Sequence, residues 1–380
     1  MLQTPFYYYN MDVLRRTLST INAETALYKD YFVHYAIKAN NNPLLLRQIS
    51  KMGLGADCVS GGEIQVALNA GFPANKIVFA GVGKRDDEIT LALKHGILCF
   101  NVESCQELEI INLIAGNMKK TAKICLRINP DVEAHTHTNI TTGLVENKFG
   151  ILHSELQQVI ELAKKLPNIY LCGLHFHIGS QILDMTDFRH LCSRINELCA
   201  EAQKYYCKTF DIINVGGGLG IDYIHPEEHP IADFHNYFST FNTYLRSVDK
   251  QQIHFELGRS VVGQCGWLVT DIVFIKQSGK RKFAIVDAGM NDLIRPALYD
   301  AYHKIKKLNN DTNNECIYDI VGPICESSDL FGHNIPLPTL SRGDRLIIMS
   351  AGAYGESMAS CYNSRPLIQG YISDEITSLA

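Results

Sequence analysis

Apolar and polar positions alternate along this chain in two rhythms. Eight short apolar runs read as strands: FVHYAI (32–37), LGADC (54–58), IVFA (77–80), ILCFNV (97–102), ICLRIN (124–129), CGLHFHI (172–178), DIINV (211–215) and IHFEL (253–257). Helix-spaced stretches follow each of the first seven, for example HSELQQVIELAKKL (153–166) and FHNYFSTFNTYLRSV (234–248). Strands buried on both faces, alternating with helices, predict an α/β fold, a (β/α)8 barrel over residues 29–264. A doubly wound parallel sheet is the alternative. Beyond residue 264 the runs WLVTDIVFI, KFAIVDA, YDIVG and DRLIIMSAG have strand character with few helices between them. They predict a C-terminal, mainly β domain over 265–380. Residues 1–28 read as an N-terminal strand, PFYYYN, and a helix, the strand joining the β domain.

Composition narrows the function classes. With 46% hydrophobic and 20% charged residues the chain reads as globular. No apolar run approaches the roughly 20 residues that span a bilayer, and the start lacks the features of a secretion signal. The net charge of −5 comes with intermixed signs, so nothing forms the basic stripe that nucleic acid requires. Twelve cysteines include no C-x-x-C pair, and most sit inside apolar runs. They read as reduced core thiols in a cytoplasmic protein, without a disulfide framework.

In a barrel, chemistry gathers at the C-terminal strand ends. Lys38 follows the first strand, Asp57 and Ser60 the second, and His177, Gly179 and Ser180 the sixth. GGGLG (216–220) follows the seventh, and Glu256, Gly258 and Arg259 close the eighth. Lys38 alone is either a rim lysine or an amine suited to Schiff-base chemistry, desolvated and lowered in pKa. The glycines are either a plain turn or a backbone phosphate cradle. GGGLGI lacks the dinucleotide fingerprint spacing. A lysine facing a phosphate loop suits a phosphorylated aldehyde cofactor. His175 and His177 share a strand face, but no third ligand stands beside them, so no metal is expected. His175 reads as a core residue, whereas His177 at the strand tip could stack on a planar cofactor. Glu256 could hold a pyridine nitrogen protonated.

Taken in order, HYAIKAN, ADCVSGGE, HFHIGSQ, GGGLGI and FELGRS resemble the alanine-racemase-type barrel decarboxylases that use pyridoxal phosphate. Within that family, DLIRPALYDAYH (292–303), GPICESSD (322–329) and GAYG (352–355) are similar to the diaminopimelate decarboxylases, as are RINPDVEAHTH and ITTGLVENKFGI. The resemblance spans nearly the whole chain. It implies a lyase that converts meso-2,6-diaminopimelate to L-lysine and carbon dioxide, in lysine biosynthesis.

The resemblance also implies roles. Lys38 would carry pyridoxal 5'-phosphate as a Schiff base, His177 would stack on its ring and Glu256 would face its nitrogen. Ser180, Gly217, Gly218 and Arg259 would hold the phosphate with Tyr354 nearby, and Asp57 and Gly258 belong with the cofactor-binding residues. Arg259, Arg295, Tyr299, Glu326 and Tyr354 would bind substrate. Cys325 would donate the proton across a homodimer interface, so the expected partners are the amino-acid substrate and a second copy of the chain, not nucleic acid or membrane. Arg295 and Glu326 suit a distal carboxylate and ammonium. Two features depart from the family pattern: Leu257 stands where E-P-G-R has proline, and AHTHTNITTG (134–143) replaces a proline-bearing segment expected to form a lid. Three other readings stay open: a decarboxylase for carboxynorspermidine or a basic amino acid, a racemase of the same fold, and a non-catalytic cofactor carrier.

Overall fold

The computed structural model describes residues 2–132, 148–309 and 314–376. The segment expected to form a lid, residues 134–143, lies outside them. The chain divides into two compact units, neither continuous in sequence. One comprises Leu18–Gly220 and Asp233–Gly258; the other comprises Met1–Thr17, Ile221–Ala232 and Arg259–Ala380.

The first unit is the parallel barrel that the alternating pattern predicts. After β1 (Phe6–Tyr9, in the other unit), its eight strands are β2 (Tyr31–Ala36), β3 (Gly55–Cys58), β4 (Ile77–Phe79), β5 (Cys99–Val102), β6 (Ala122–Arg127), β7 (Ile169–His175), β8 (Ile212–Asn214) and β9 (Gln252–Leu257). They close in that order, with β9 returning to β2. Side-chain caps start the helices cleanly. Asn42, Ser60, Ser104, Asp184 and Asp233 each accept a backbone N–H of the first turn, worth about 1 kcal/mol apiece.

The barrel interior is layered. Near its N-terminal end His34 Nε2 lies 2.8 Å from His254 Nδ1. Gly55 makes room for this pair, since a Cβ there would stand 2.4 Å from His34 Nδ1. Above them come the buried side chains of Val78, Cys99, Cys125, Cys172 and Ile212. Toward the C-terminal strand ends the interior turns polar, with Asn101, His175, Asn214 and Glu256 all buried. Polar groups concentrated at that one end point to a functional mouth.

The second unit is mainly β. Its strands β10 (Gly266–Ser278), β11 (Arg281–Val286), β12 (Ile305–Lys307), β13 (Glu315–Val321), β14 (Leu330–Pro338) and β15 (Arg345–Ile348) form a sheet in the order β12-β15-β10-β11-β13-β14. β1 pairs antiparallel with β10 and parallel with β16 (Gly370–Ile372). Its alternation buries Tyr7 and Tyr9, and the Tyr7 hydroxyl donates to Asp292 O at 2.6 Å. No helix among the described residues is long and apolar enough to cross a membrane.

Candidate active site

The barrel mouth is organised around Glu256 at the end of β9. Its Oε1 accepts from Asn101 Nδ2 at 2.9 Å and Asn214 Nδ2 at 2.7 Å, and its Oε2 lies 2.9 Å from His175 Nε2. Burial alone would push this carboxyl up. Attraction to His175, hydrogen bonding from His175 and Asn214 and the nearby His177 together hold it well below the usual carboxylate range. The group is therefore a buried, fixed anion. Asn101 and Asn214 are the residues sequence reasoning missed here; His175, read as a core residue, is buried and bonds Glu256 as well. The available signal was an asparagine at the inward end of two otherwise apolar runs, ILCFNV and DIINV.

Around that anion the sequence-predicted residues assemble. His177 lies just past β7, and its Nδ1 accepts the Gly217 N–H at 3.3 Å. Burial, reinforced by repulsion from Arg127 and Lys38, pushes its pKa well down, so the imidazole is neutral at pH 7. Asp57 ends β3. Burial and then repulsion from Glu256 push it well up, against the pull of Lys38. Lys38 sits in the single turn Ile37–Ala39 after β2, between buried neighbours. Its side chain is exposed, not desolvated as expected, because the turn lifts it out of the packed strand while Ile37 and Ala39 anchor it from below.

The glycine run holds the mouth's other wall. Gly216 and Gly218 take positive φ values of 72° and 113°. A Cβ on Gly217 would stand 1.9 Å from Glu256 O, and one on Gly218 would stand 3.0 Å from Gly179 O. No side chain fits there, so backbone alone lines this wall. Ile182 N–H donates to Gly218 O at 2.9 Å, tying the loop that carries Ser180 to the glycine loop.

The second unit holds a cluster of its own. Arg259, Arg295 and His303 are buried, and Tyr223 nearly so. The Tyr223 hydroxyl oxygen accepts from Arg259 at 2.8 Å and from Arg295 at 2.9 Å. Arg295 also donates to His303 Nε2 at 2.8 Å, while His303 Nδ1 donates to Met349 O at 2.8 Å, which sets its tautomer. The Tyr354 ring lies 5.0 Å from the Arg259 guanidinium. Tyr299 is half-buried at the end of the helix Arg295–Tyr299. Burial would raise the Tyr223 phenol, but its two arginines bring it below its ordinary value. Tyr223 and His303 were not singled out from sequence, although Tyr223 stands only three positions after GGGLG.

Cys325 and Glu326 stand apart from this cluster. Both are exposed, in a loop that the buried Asp329 holds in shape. Asp329 accepts Ile324 N–H at 2.6 Å and Met290 N–H at 2.7 Å. Glu326 Oε1 accepts from the Tyr362 hydroxyl at 2.7 Å.

Burial and the adjoining Arg295 charge bring His303 down to about 3. Its pKa is depressed in the fold, so the unfolded chain takes up the proton first as pH falls below the ordinary value of about 6.5. The associated stability is complete above that value and is lost progressively toward pH 3. The expected slope is about 1.4 kcal/mol per pH unit for one proton. Thermal melts between pH 7 and pH 4 should fall more steeply for the native chain than for His303→Gln.

Comparison with known proteins follows from this geometry. The family model described as the pyridoxal-binding domain of pyridoxal-dependent decarboxylases matches residues 13–263. The chain belongs to that family. A diaminopimelate decarboxylase of Bacteroides thetaiotaomicron is 59% identical over 99% of this chain and 97% of its own length. One from Aquifex aeolicus is 42% identical over 96% of this chain and 85% of its own. The crystal structure of the Helicobacter pylori diaminopimelate decarboxylase complexed with L-lysine superposes with a TM-score of 0.93, at 39% identity over 99% of this chain and 93% of that one.

The barrel mouth fits the cofactor of this family, pyridoxal phosphate. A fixed anion at Glu256 suits a cationic ring nitrogen. Asp57 Oδ1 is buried with no hydrogen-bond partner among the described residues, which leaves an acceptor available to a ligand. The glycine wall is bare backbone, the kind of lining that suits a phosphate. Lys38 supplies an exposed amine for the aldehyde.

Proposed function

We propose that this chain decarboxylates meso-2,6-diaminopimelate to L-lysine and carbon dioxide, with pyridoxal phosphate as cofactor. The observation that carries the substrate choice is Arg295, a buried guanidinium held by Tyr223 and His303 close to a second guanidinium at Arg259. A cation fixed in this way calls for an anion. Diaminopimelate brings a second carboxylate, whereas ornithine and arginine have none at the distal end and would leave it unpaired. Relatives named diaminopimelate decarboxylase, at up to 59% identity, support the same choice.

Bound at the barrel mouth, pyridoxal phosphate supplies an electron sink for the pair released when the Cα–carboxylate bond breaks. The residues do the rest. Lys38 would hold the cofactor through its amine, in exchange with the substrate amine. Glu256 would hold a negative charge for the ring nitrogen, and neutral His177 would pack on the ring without repelling a cation. Asp57, Ser180, Gly217, Gly218, Gly258 and Arg259 bind the rest of the cofactor, with Tyr354 beside the phosphate. Arg295, Tyr299, Tyr354 and Arg259 bind the substrate, with Glu326 taking its distal ammonium. Cys325 returns a proton to Cα.

Cys325 and Glu326 are exposed in the single chain, which supports a homodimer in which each copy completes its partner's site. The absence of disulfides among the cysteines supports a cytoplasmic enzyme. Purified protein with added pyridoxal phosphate should be offered diaminopimelate, ornithine, arginine and carboxynorspermidine. Lysine and carbon dioxide in equal amounts are expected from diaminopimelate alone. Putrescine or agmatine as the main product would overturn the substrate, and epimerised diaminopimelate without carbon dioxide would overturn the reaction.

A further inference from the structure

The barrel interior contains a second chemical cluster that the proposed reaction leaves unused. Cys99 lies on β5 two residues before Asn101, so both side chains share a face. Asn101 reaches Glu256 on β9, which identifies that face as the interior. Cys125 on β6 places its sulfur 3.8 Å from that of Cys99 and 3.7 Å from that of Cys172 on β7. All three sulfurs lie within 4.8 Å of one another, and all three residues are buried. The register between β6 and β7 shifts between Ile124 and Cys125. Gly173 makes the convergence possible, because a Cβ there would stand 2.9 Å from the Cys125 sulfur and 2.3 Å from Ile212 O.

Bonds of about 2.3 Å from sulfur to one central atom set sulfur–sulfur separations at about 3.4–3.9 Å. The two measured separations already fall there. Charge then selects the central atom. The surrounding layer is apolar, with Val78 and Ile212 packed on the sulfurs, and a net charge in such a place is costly. A monovalent ion with three thiolates would leave two negative charges, and a divalent ion would leave one. A trivalent thiophile leaves none.

We propose that Cys99, Cys125 and Cys172 form a trithiol site for trivalent arsenic, taken up as arsenous acid. Three thiols condense with As(OH)3. Each arsenic–oxygen bond is replaced by an arsenic–sulfur bond, each thiol proton leaves with a hydroxide as water, and no atom is oxidised or reduced. Reagent and product are both uncharged, so neither access nor occupancy buries an ion. A cavity of about 310 Å³ lies at the N-terminal ends of β5 and β6, the strands that carry Cys99 and Cys125. Leu98 lines that cavity, with Phe100, Ala122 and Lys123, and also packs against the buried cluster formed by Val78, Ile212 and the three cysteines. It is the side chain that must swing aside.

The test uses the full chain loaded with pyridoxal phosphate and incubated with arsenite under native conditions. Native mass spectrometry should show one added arsenic less three hydrogens per chain. Thiol titration after denaturation should lose three of the twelve cysteines, and arsenic X-ray absorption should show three sulfur neighbours and no oxygen. Cys125→Ala and, separately, Cys172→Ala should each abolish the three-sulfur adduct, while Cys207→Ala and Cys316→Ala keep it. Leu98→Ala should speed its formation several-fold. The proposal is overturned if the native chain takes no arsenic or loses only two thiols. It is equally overturned if the adduct survives both core substitutions, or if zinc or copper(I) is held at one per chain and arsenic is not.

Discussion

Replacing Lys38 by alanine is expected to lower kcat by about 10²- to 10⁴-fold, the range supplied by one proton-transferring side chain. It should also abolish covalent capture of pyridoxal phosphate by borohydride. Lysines are common in this chain, so the choice of Lys38 needs a physical reason. Another lysine in the barrel's strand-end loops, Lys84, has a side chain that is wholly buried. Its ammonium donates to Gly81 O at 2.8 Å, Asn101 O at 2.7 Å and Glu107 Oε1 at 2.5 Å. Those three bonds use every donor it has, and removing it would leave Glu107 buried without its cation. Lys84 is a structural tie. Lys38 is exposed at the mouth, and its charge acts on Asp57, Glu63 and His177. An amine placed there can reach an aldehyde and still exchange with an incoming substrate amine. Mass spectrometry of the borohydride-reduced protein should find the cofactor on the peptide carrying Lys38. A label on any other lysine would break the assignment, as would full turnover in Lys38→Ala.

The extent to which this molecule was legible in its sequence follows from the range of the interactions involved. Barrel strands buried on both faces leave a local trace, a short apolar run bounded by helices, and all eight runs became strands. Strand-end positions were legible for the same reason, since Lys38, Asp57, His177, the glycines and Glu256 stand at fixed offsets from those runs. Partnerships between distant segments left no such trace. The carboxylate of Glu256 is held from β5, β7 and β8, and only closure of the barrel brings those strands to it. Tyr223 reaches Arg295 across 72 residues of chain, and His303 looks like an ordinary polar residue until its tautomer is seen to be set by Met349 O. Exposure was equally hidden. Lys38 follows an apolar strand, which suggests desolvation, but one short turn is enough to lift its side chain into solvent.

Cys325→Ala is expected to lower kcat by about 10²- to 10⁴-fold, again the contribution of one proton-transferring group, while KM and borohydride capture stay near their native values. That split separates a proton donor from a fold-holding residue. Cys325 makes no structural demand of its own, because Asp329 shapes its loop through Ile324 N–H and Met290 N–H while the thiol stays exposed. The same exposure raises the question of which active site the thiol serves, and mixing two inactive proteins answers it. In a two-fold dimer with shared sites, Lys38→Ala and Cys325→Ala chains that exchange subunits form mixed dimers in half of the assemblies. Each mixed dimer has one site with both defects and one with neither, so the mixture should recover about a quarter of native activity. If Cys325 served the site of its own chain, every site would keep one defect and the mixture would stay inactive. Recovery on mixing therefore tests the dimer and the reach of Cys325 together, whereas normal turnover by Cys325→Ala alone would remove the thiol from the chemistry altogether.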